Sequence, residues 1–181
     1  LPEIAIVNNI EFDHADIYNN IDEIKLSFQR MINIVPGNGV VVINGDDQNC
    51  LDVVANAHSP VLRVGFGENS DRRIENVDYQ PAATKFDLNG ESFHLPMVGE
   101  FNVRNAAMAL TAAQEAGIPI DALRSGLAIF EGIARRQQLR GETARGIKVI
   151  DDFGHHPTAM RLALTAMRNQ YRDQRIWALF E

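Results

Sequence analysis

Two carboxylates and two imidazoles stand within six residues in Asp151-Asp152-Phe153-Gly154-His155-His156, followed by Pro157-Thr158. The preceding run Ile147-Lys148-Val149-Ile150 predicts a buried strand, and Pro157 suits the first turn of a helix. In open α/β sheets ligands bind at this strand-to-helix edge, and the free N–H groups of a first helical turn favour an anion such as a phosphate. Asp152, read as the last residue of its strand, can accept from ribose hydroxyls, while His155 and His156 face a ligand or the helix N-terminus. The plainer reading has one histidine capping the helix and Asp151 paired with an arginine.

Three further constellations carry possible chemistry. Asn8-Asn9-Ile10-Glu11-Phe12-Asp13-His14-Ala15-Asp16 closes another apolar run, and His14 between Asp13 and Asp16 can ligate a divalent cation, or stand exposed beside a capping aspartate. Gly99-Glu100-Phe101-Asn102-Val103-Arg104-Asn105 opens a helix, where Asn102 and Asn105, three apart, project from one face and can hydrogen-bond a planar heterocycle. Asn102 can equally be a simple N-cap. Arg135-Arg136, with Arg140 and Arg145 beyond, suits phosphate contact or stacking on a base, or is a solvated basic linker. Cys50, the lone cysteine, reads as a core thiol.

The elements that must position these groups alternate strand and helix. Apolar strands are expected over 4–10, 39–43 and 61–66, with helices over 21–35 and 48–57 between them, the rhythm of a parallel sheet. From about Asp71 to Leu95 the texture changes to short alternating segments around Asn89-Gly90, the strongest local hairpin signal, so a small antiparallel sheet is expected. Helices follow over 99–117 and 121–130. A strand over 147–152, a helix over 157–172 with the stripe Met160, Leu164, Met167 and Tyr171, and a closing strand over 176–181 predict a fresh βαβ unit. A boundary near Ala134 divides the chain into 1–133 and 134–181.

The chain has 181 residues, 45% hydrophobic and 23% charged, with 24 acidic against 17 basic residues and a net charge of -7. This balance argues against a nucleic-acid or anionic-membrane surface as the main partner. One cysteine permits no internal disulfide, and no apolar run approaches the roughly 20 residues of a membrane span, so the cytoplasm is the expected compartment. Both ends read as cut, which predicts a piece of a longer protein.

In order and spacing, Asn9 through Tyr18, Gly99 through Ala106, Arg135-Arg136 and Asp151 through Thr158 resemble the Mur ligases, the ATP-dependent amide-forming enzymes of peptidoglycan synthesis. The resemblance spans the chain. It implies an α/β fold: part of a central ATP-binding domain, with a parallel sheet plus a small antiparallel sheet, followed by the start of a Rossmann-like C-terminal domain. It also implies ATP and Mg2+ as cofactors, and a carboxylate that attacks the γ-phosphate to give an acyl phosphate for an amine to attack. By motif position His14 would ligate a magnesium ion and serve catalysis. Asn105, with Asn102 beside it, would contact adenine, Arg136 would lie against the nucleotide, and Asp152 would hold the ribose. His155, as a catalytic group, and His156, as a cofactor contact, would sit by the nucleotide and substrate cleft.

Within the family, Phe153 and Ala159 are most similar to members that join UDP-N-acetylmuramate to the recycled murein tripeptide L-alanyl-γ-D-glutamyl-meso-diaminopimelate. Members that add L-alanine usually have Tyr and Glu there and are the alternative. Two positions depart from the common pattern: Phe101, where many members have His, and Gln137, where an apolar residue is usual. No G-x-x-G-K-[ST] loop occurs, so this polypeptide by itself is not expected to turn over ATP. Rival readings are a two-metal phosphoesterase built on Asp13, His14, Asp16, His155 and His156, and a non-catalytic nucleotide-binding module.

Overall fold

In the computed structural model, which describes residues 1–180, four parallel strands and an antiparallel extension form one sheet of six, in the order β1 to β6. The strands are β1 (Ile4–Val7), β2 (Val40–Asn44), β3 (Val61–Gly65), β4 (Arg72–Tyr79), β5 (Thr84–Leu88) and β6 (Glu91–Leu95). The first three are parallel and in the expected places. The expected small antiparallel sheet is present as β4, β5 and β6, and it is continuous with the parallel strands because β4 also pairs parallel with β3 through Val64–Arg72 and Gly65–Arg73.

Strand β2 is buried at every position, as an inner parallel strand covered on both faces must be. Its side chains divide between two cores. Val41 and Ile43 join Val7, Ile10, Ile24, Ile32 and Cys50 on the face covered by α1 (Ile21–Ile32) and α2 (Gln48–Val53). Val42 joins Val64, Phe86, Leu95, Val103 and Met108 on the face covered by α3 (Glu100–Glu115) and α4 (Ile120–Ala128). Burial pushes the Cys50 thiol up to about 12, so it is an inert core group.

Local chemistry sets the element ends. Asn20 caps α1 through Glu23 N–H at 3.1 Å, and the Glu23 carboxylate reaches back to the Asn19 N–H at 2.9 Å. Asn89 and Gly90 both take positive φ, 52° and 82°, as the tight turn between β5 and β6 requires. Asn76, φ 49°, marks the bulge where the register of β4 against β5 shifts.

Beyond α4 the chain differs from expectation in three ways. Strand β8 (Lys148–Asp151) exists, but Ile147 and Val149 are 58% and 50% exposed; among the described residues its one strand partner is antiparallel, β7 (Gln138–Glu142), in a separate two-stranded sheet. Of the expected closing strand, residues 176–180 form no strand, with Trp177, Leu179 and Phe180 largely exposed, and Glu181 lies outside the described residues. Helix α5 (Pro157–Gln170) buries Ala166 and Met167 and leaves Leu164 exposed, so the expected stripe is met in part, at Met167 and not at Leu164. Among the described residues, no helix is long and apolar enough to cross a membrane.

Candidate functional site

The segment that leaves β1 is pinned at Ile10. Its side chain is buried, its N–H donates to Asp47 Oδ2 at 3.2 Å, and its carbonyl accepts from Asn49 Nδ2 at 2.8 Å. Asp47 is also the N-cap of α2, accepting from Asn49 and Cys50 N–H groups at 2.8 and 3.2 Å. One aspartate therefore starts a helix and fixes the loop that carries Glu11, Asp13 and His14.

His14 is exposed with φ 55°, a left-handed conformation that disfavours an ordinary side chain. Its N–H donates to Asp13 Oδ1 at 2.7 Å, and this bond chiefly holds the Asp13 carboxyl below its usual range. The His14 carbonyl accepts from Ile17 and Tyr18 N–H groups, which closes the turn and leaves the imidazole outside it.

Helix α3 starts at Gly99, φ 102°, where a Cβ would lie 3.0 Å from Ala166 of α5, so glycine here permits both the turn and the helix contact. Asn102 is not the N-cap. It sits buried in the first turn, and its Nδ2 donates to the Val98 carbonyl at 2.8 Å and to Gln137 Oε1 at 3.3 Å. Asn105 is exposed on the next turn, and its Oδ1 accepts from Asn8 Nδ2. The two asparagines thus do different work, one tying the helix to the 135–137 loop and the other facing outward.

That loop is strained and stapled. Arg135 and Gln137 take φ of 59° and 50°. Asp152, one residue past β8, accepts from Gln137 N–H at 3.0 Å on one oxygen and from Gly154 N–H at 2.7 Å on the other, while Phe153 N–H donates to the Arg135 carbonyl at 2.8 Å. Arg135 and Arg136 lie over the Phe153 ring, 4.8 and 5.8 Å from its centre, and Arg135 stands 3.6 Å from Asp151. The Phe153 ring is the platform that gathers both guanidinium groups. The plainer reading of Asp151 paired with an arginine is met, and Asp152 is partly engaged in holding the backbone.

The first and last motifs meet directly. His156 caps α5, its Nδ1 3.3 Å from Thr158 N–H and 3.0 Å from Glu11 Oε2, while its Nε2 lies 3.4 Å from the Phe12 carbonyl. His155 Nε2 is 4.0 Å from Asp13 Oδ2. All seven residues singled out in the sequence, His14, Asn102, Asn105, Arg136, Asp152, His155 and His156, border one cleft of about 1450 Å³ at the carboxyl end of β1 and β2. Among the described residues, two polar atoms of the cleft lining are buried with no partner, Asn8 Oδ1 and Arg104 Nε.

Sequence reasoning missed Asp46, whose carboxylate accepts from Phe66 N–H at 2.8 Å, Gly67 N–H at 2.9 Å and Arg104 Nη2 at 3.1 Å. Burial opposes its ionisation, but the two N–H groups and the guanidinium outweigh it and hold the carboxyl below its usual range. A Cβ on Gly65 would lie 2.7 Å from this carboxylate, so the glycine makes room for it. Asn44-Gly45-Asp46-Asp47 has the composition of a turn, and the local pattern marks Asp47 as a cap without distinguishing Asp46.

Among the described residues no three His, Cys, Asp or Glu side chains gather closely enough to hold a metal ion. Magnesium is usually held by carboxylate and phosphate oxygens and water, so the exposed imidazole of His14 would be a minority nitrogen ligand in such a shell.

A family model described as the Mur ligase middle domain matches residues 1–113, and one described as the Mur ligase glutamate ligase domain matches residues 135–181. A UDP-N-acetylmuramate–L-alanine ligase of Geobacter sp. (strain M21) is 36% identical over 99% of this chain and 40% of its own length. A murein peptide ligase of Psychrobacter arcticus superposes with a TM-score of 0.68 at 29% identity, covering 96% of this chain and 36% of that one. MurF of Acinetobacter baumannii, at 24% identity, shares the fold with a TM-score of 0.81 over 93% of this chain and 38% of its own. The chain spans about two fifths of the length of the curated relatives it matches. With both family models matched in order along the chain, it belongs to the Mur ligase family.

Proposed function

We propose that this chain is the part of an ATP-dependent amide ligase that closes around the nucleotide, in an enzyme that activates the carboxylate of UDP-N-acetylmuramate as an acyl phosphate. The observation that carries the reading is the convergence of four separated motifs on one cleft at the strand ends. In this reading residues 1–133 belong to the central domain and 134–181 to the next one.

Asn105 contacts the adenine, and Asn102 and Asp152 hold the Arg136 loop against the cleft, with the remaining lone pairs of Asp152 free for the ribose. Arg136 lies against the nucleotide, while His155 and His156 border the substrate side. The exposed amide of Asn105, whose Nδ2 is unengaged among the described residues, suits a polar, planar ligand. His14 gives one nitrogen to a magnesium ion, which when bound neutralises charge on the transferring phosphoryl group. The chain lacks a glycine-rich phosphate loop and a second metal ligand of its own, so the 181 residues alone release no ADP.

The chemistry balances without an outside redox partner. A carboxylate oxygen bonds to the γ-phosphorus as ADP leaves. The amine then attacks the acyl carbon, and phosphate departs with that oxygen.

For the acceptor, the curated relatives support L-alanine, against the preference drawn from Phe153 and Ala159. The tripeptide is retained as a second reading because a murein peptide ligase is 29% identical over nearly the whole chain. ADP release by the full-length ligase with ATP, Mg2+ and UDP-N-acetylmuramate decides between them. Stimulation by L-alanine supports the first reading and stimulation by the tripeptide alone the second; stimulation by neither refutes both.

A further inference from the structure

Asn8 and Asn105 lie 97 residues apart, one just past the end of β1 and the other on the second turn of α3, and their amides meet. Asn8 is half-buried and donates its Nδ2 to Asn105 Oδ1, while its own Oδ1 is buried with no donor. An exposed asparagine without a partner turns its amide freely and interchanges donor and acceptor. In Asn105 the oxygen is engaged by Asn8, which ties the orientation of one amide to that of the other, and among the described residues its Nδ2 donates to no group of the chain. The fold leaves a buried carbonyl unsatisfied on Asn8 while keeping that N–H2 group turned toward Asn105.

We infer that Asn8 is a positioning residue for nucleobase selection, holding the Asn105 amide so that its donors and one oxygen lone pair face the cleft. The inference rests on the reading of Asn105 as the base contact. Adenine offers an acceptor at N7 beside a donor at the 6-amino group, whereas guanine offers two acceptors there. An amide fixed with one donor and one acceptor outward matches the first and sets its oxygen against the guanine carbonyl.

The experiment measures KM and kcat for ATP and GTP in the full-length ligase carrying Asn8→Ala, Asn105→Ala, both, Asn8→Thr or Asn8→Asp. Asn105→Ala is expected to raise KM for ATP about tenfold with little change in kcat. Asn8→Ala gives a rise of similar size, and the double variant is no worse than Asn105→Ala, since the two act as one unit. Asn8→Thr, whose hydroxyl can donate to Asn105 Oδ1, recovers most of the loss. Asn8→Asp, isosteric but accepting, turns the Asn105 amide over and narrows the preference for ATP over GTP. Effects that multiply in the double variant, or an Asn8→Ala protein with unchanged KM and base preference, overturn the inference while the base-contact reading stands. An Asn105→Ala protein with unchanged KM and base preference overturns both.

Discussion

His156 Nδ1 stands 3.0 Å from the Glu11 carboxylate and 3.3 Å from the Thr158 N–H, two partners that ask opposite things of one nitrogen. A proton on Nδ1 serves Glu11 and forfeits the helix cap; a lone pair serves Thr158 and leaves Glu11 facing an acceptor. The residue thus joins the start of α5 to the loop after β1 by either of two arrangements. His156→Ala is expected to weaken the first turn of α5 by about 1 kcal/mol, the usual worth of an N-cap. His156→Asn is expected to restore that turn without the Glu11 contact. Amide exchange of residues 158–160 checks both, and equal protection in the two variants contradicts the capping role.

Ile10 is fastened by Asp47 and Asn49, so Asp47→Ala removes an N-cap and frees the loop at once. The expected loss of stability is about 1–2 kcal/mol. It is accompanied by a fall in ligase activity greater than Asn20→Ala produces, because Asn20 caps α1 without touching the cleft loop. Thermal melts and initial rates of the two variants compare them directly.

Asp46 makes stability depend on acid. Its carboxyl is held below the usual range in the folded chain, so folding favours the ionised form. The resulting stability is complete above the unfolded value of about 3.9 and is lost as pH falls through the folded value. Between about pH 5 and pH 2 the melting temperature of the parent protein is expected to fall more steeply than that of Asp46→Asn. Parallel acid limbs contradict this account.

Asp152 accepts one N–H on each oxygen, and an amide in its place retains one acceptor. Charge-assisted bonds of this type contribute about 1.5–3 kcal/mol each. Asp152→Asn is therefore expected to loosen the Arg136 loop and raise KM for ATP about tenfold or more, with a smaller change in kcat. An unchanged KM for ATP refutes the stapling role.

The parts legible in the sequence were those whose signal is local. Val40 to Ile43 between Gly39 and Asn44, and Asn89-Gly90 between alternating runs, appear as a buried strand and a hairpin turn because each pattern is set by its own few residues. Strand β7 was not legible, since Gln138 to Glu142 carries one apolar residue, Leu139, and lies exposed. The stripe Met160, Leu164, Met167, Tyr171 is legible only in part, because spacing reports an apolar face without saying what it meets: Met167 is buried, as is Ala166 against Gly99, while Leu164 is exposed. The motif residues were found by type, but the division of labour between Asn102 and Asn105 depends on Gln137 and Asn8, 35 and 97 residues away. Asp46 was hidden for the same reason, its N–H donors lying at Phe66 and Gly67.

The route of one oxygen tests the central claim most directly. UDP-N-acetylmuramate labelled with 18O in its lactyl carboxylate is incubated with the full-length ligase, ATP, Mg2+ and L-alanine, and the phosphate and amide products are analysed by mass. An acyl phosphate predicts one 18O in the inorganic phosphate for each amide formed. Amide formation with phosphate free of label, or phosphate release with the carboxylate intact, contradicts the account.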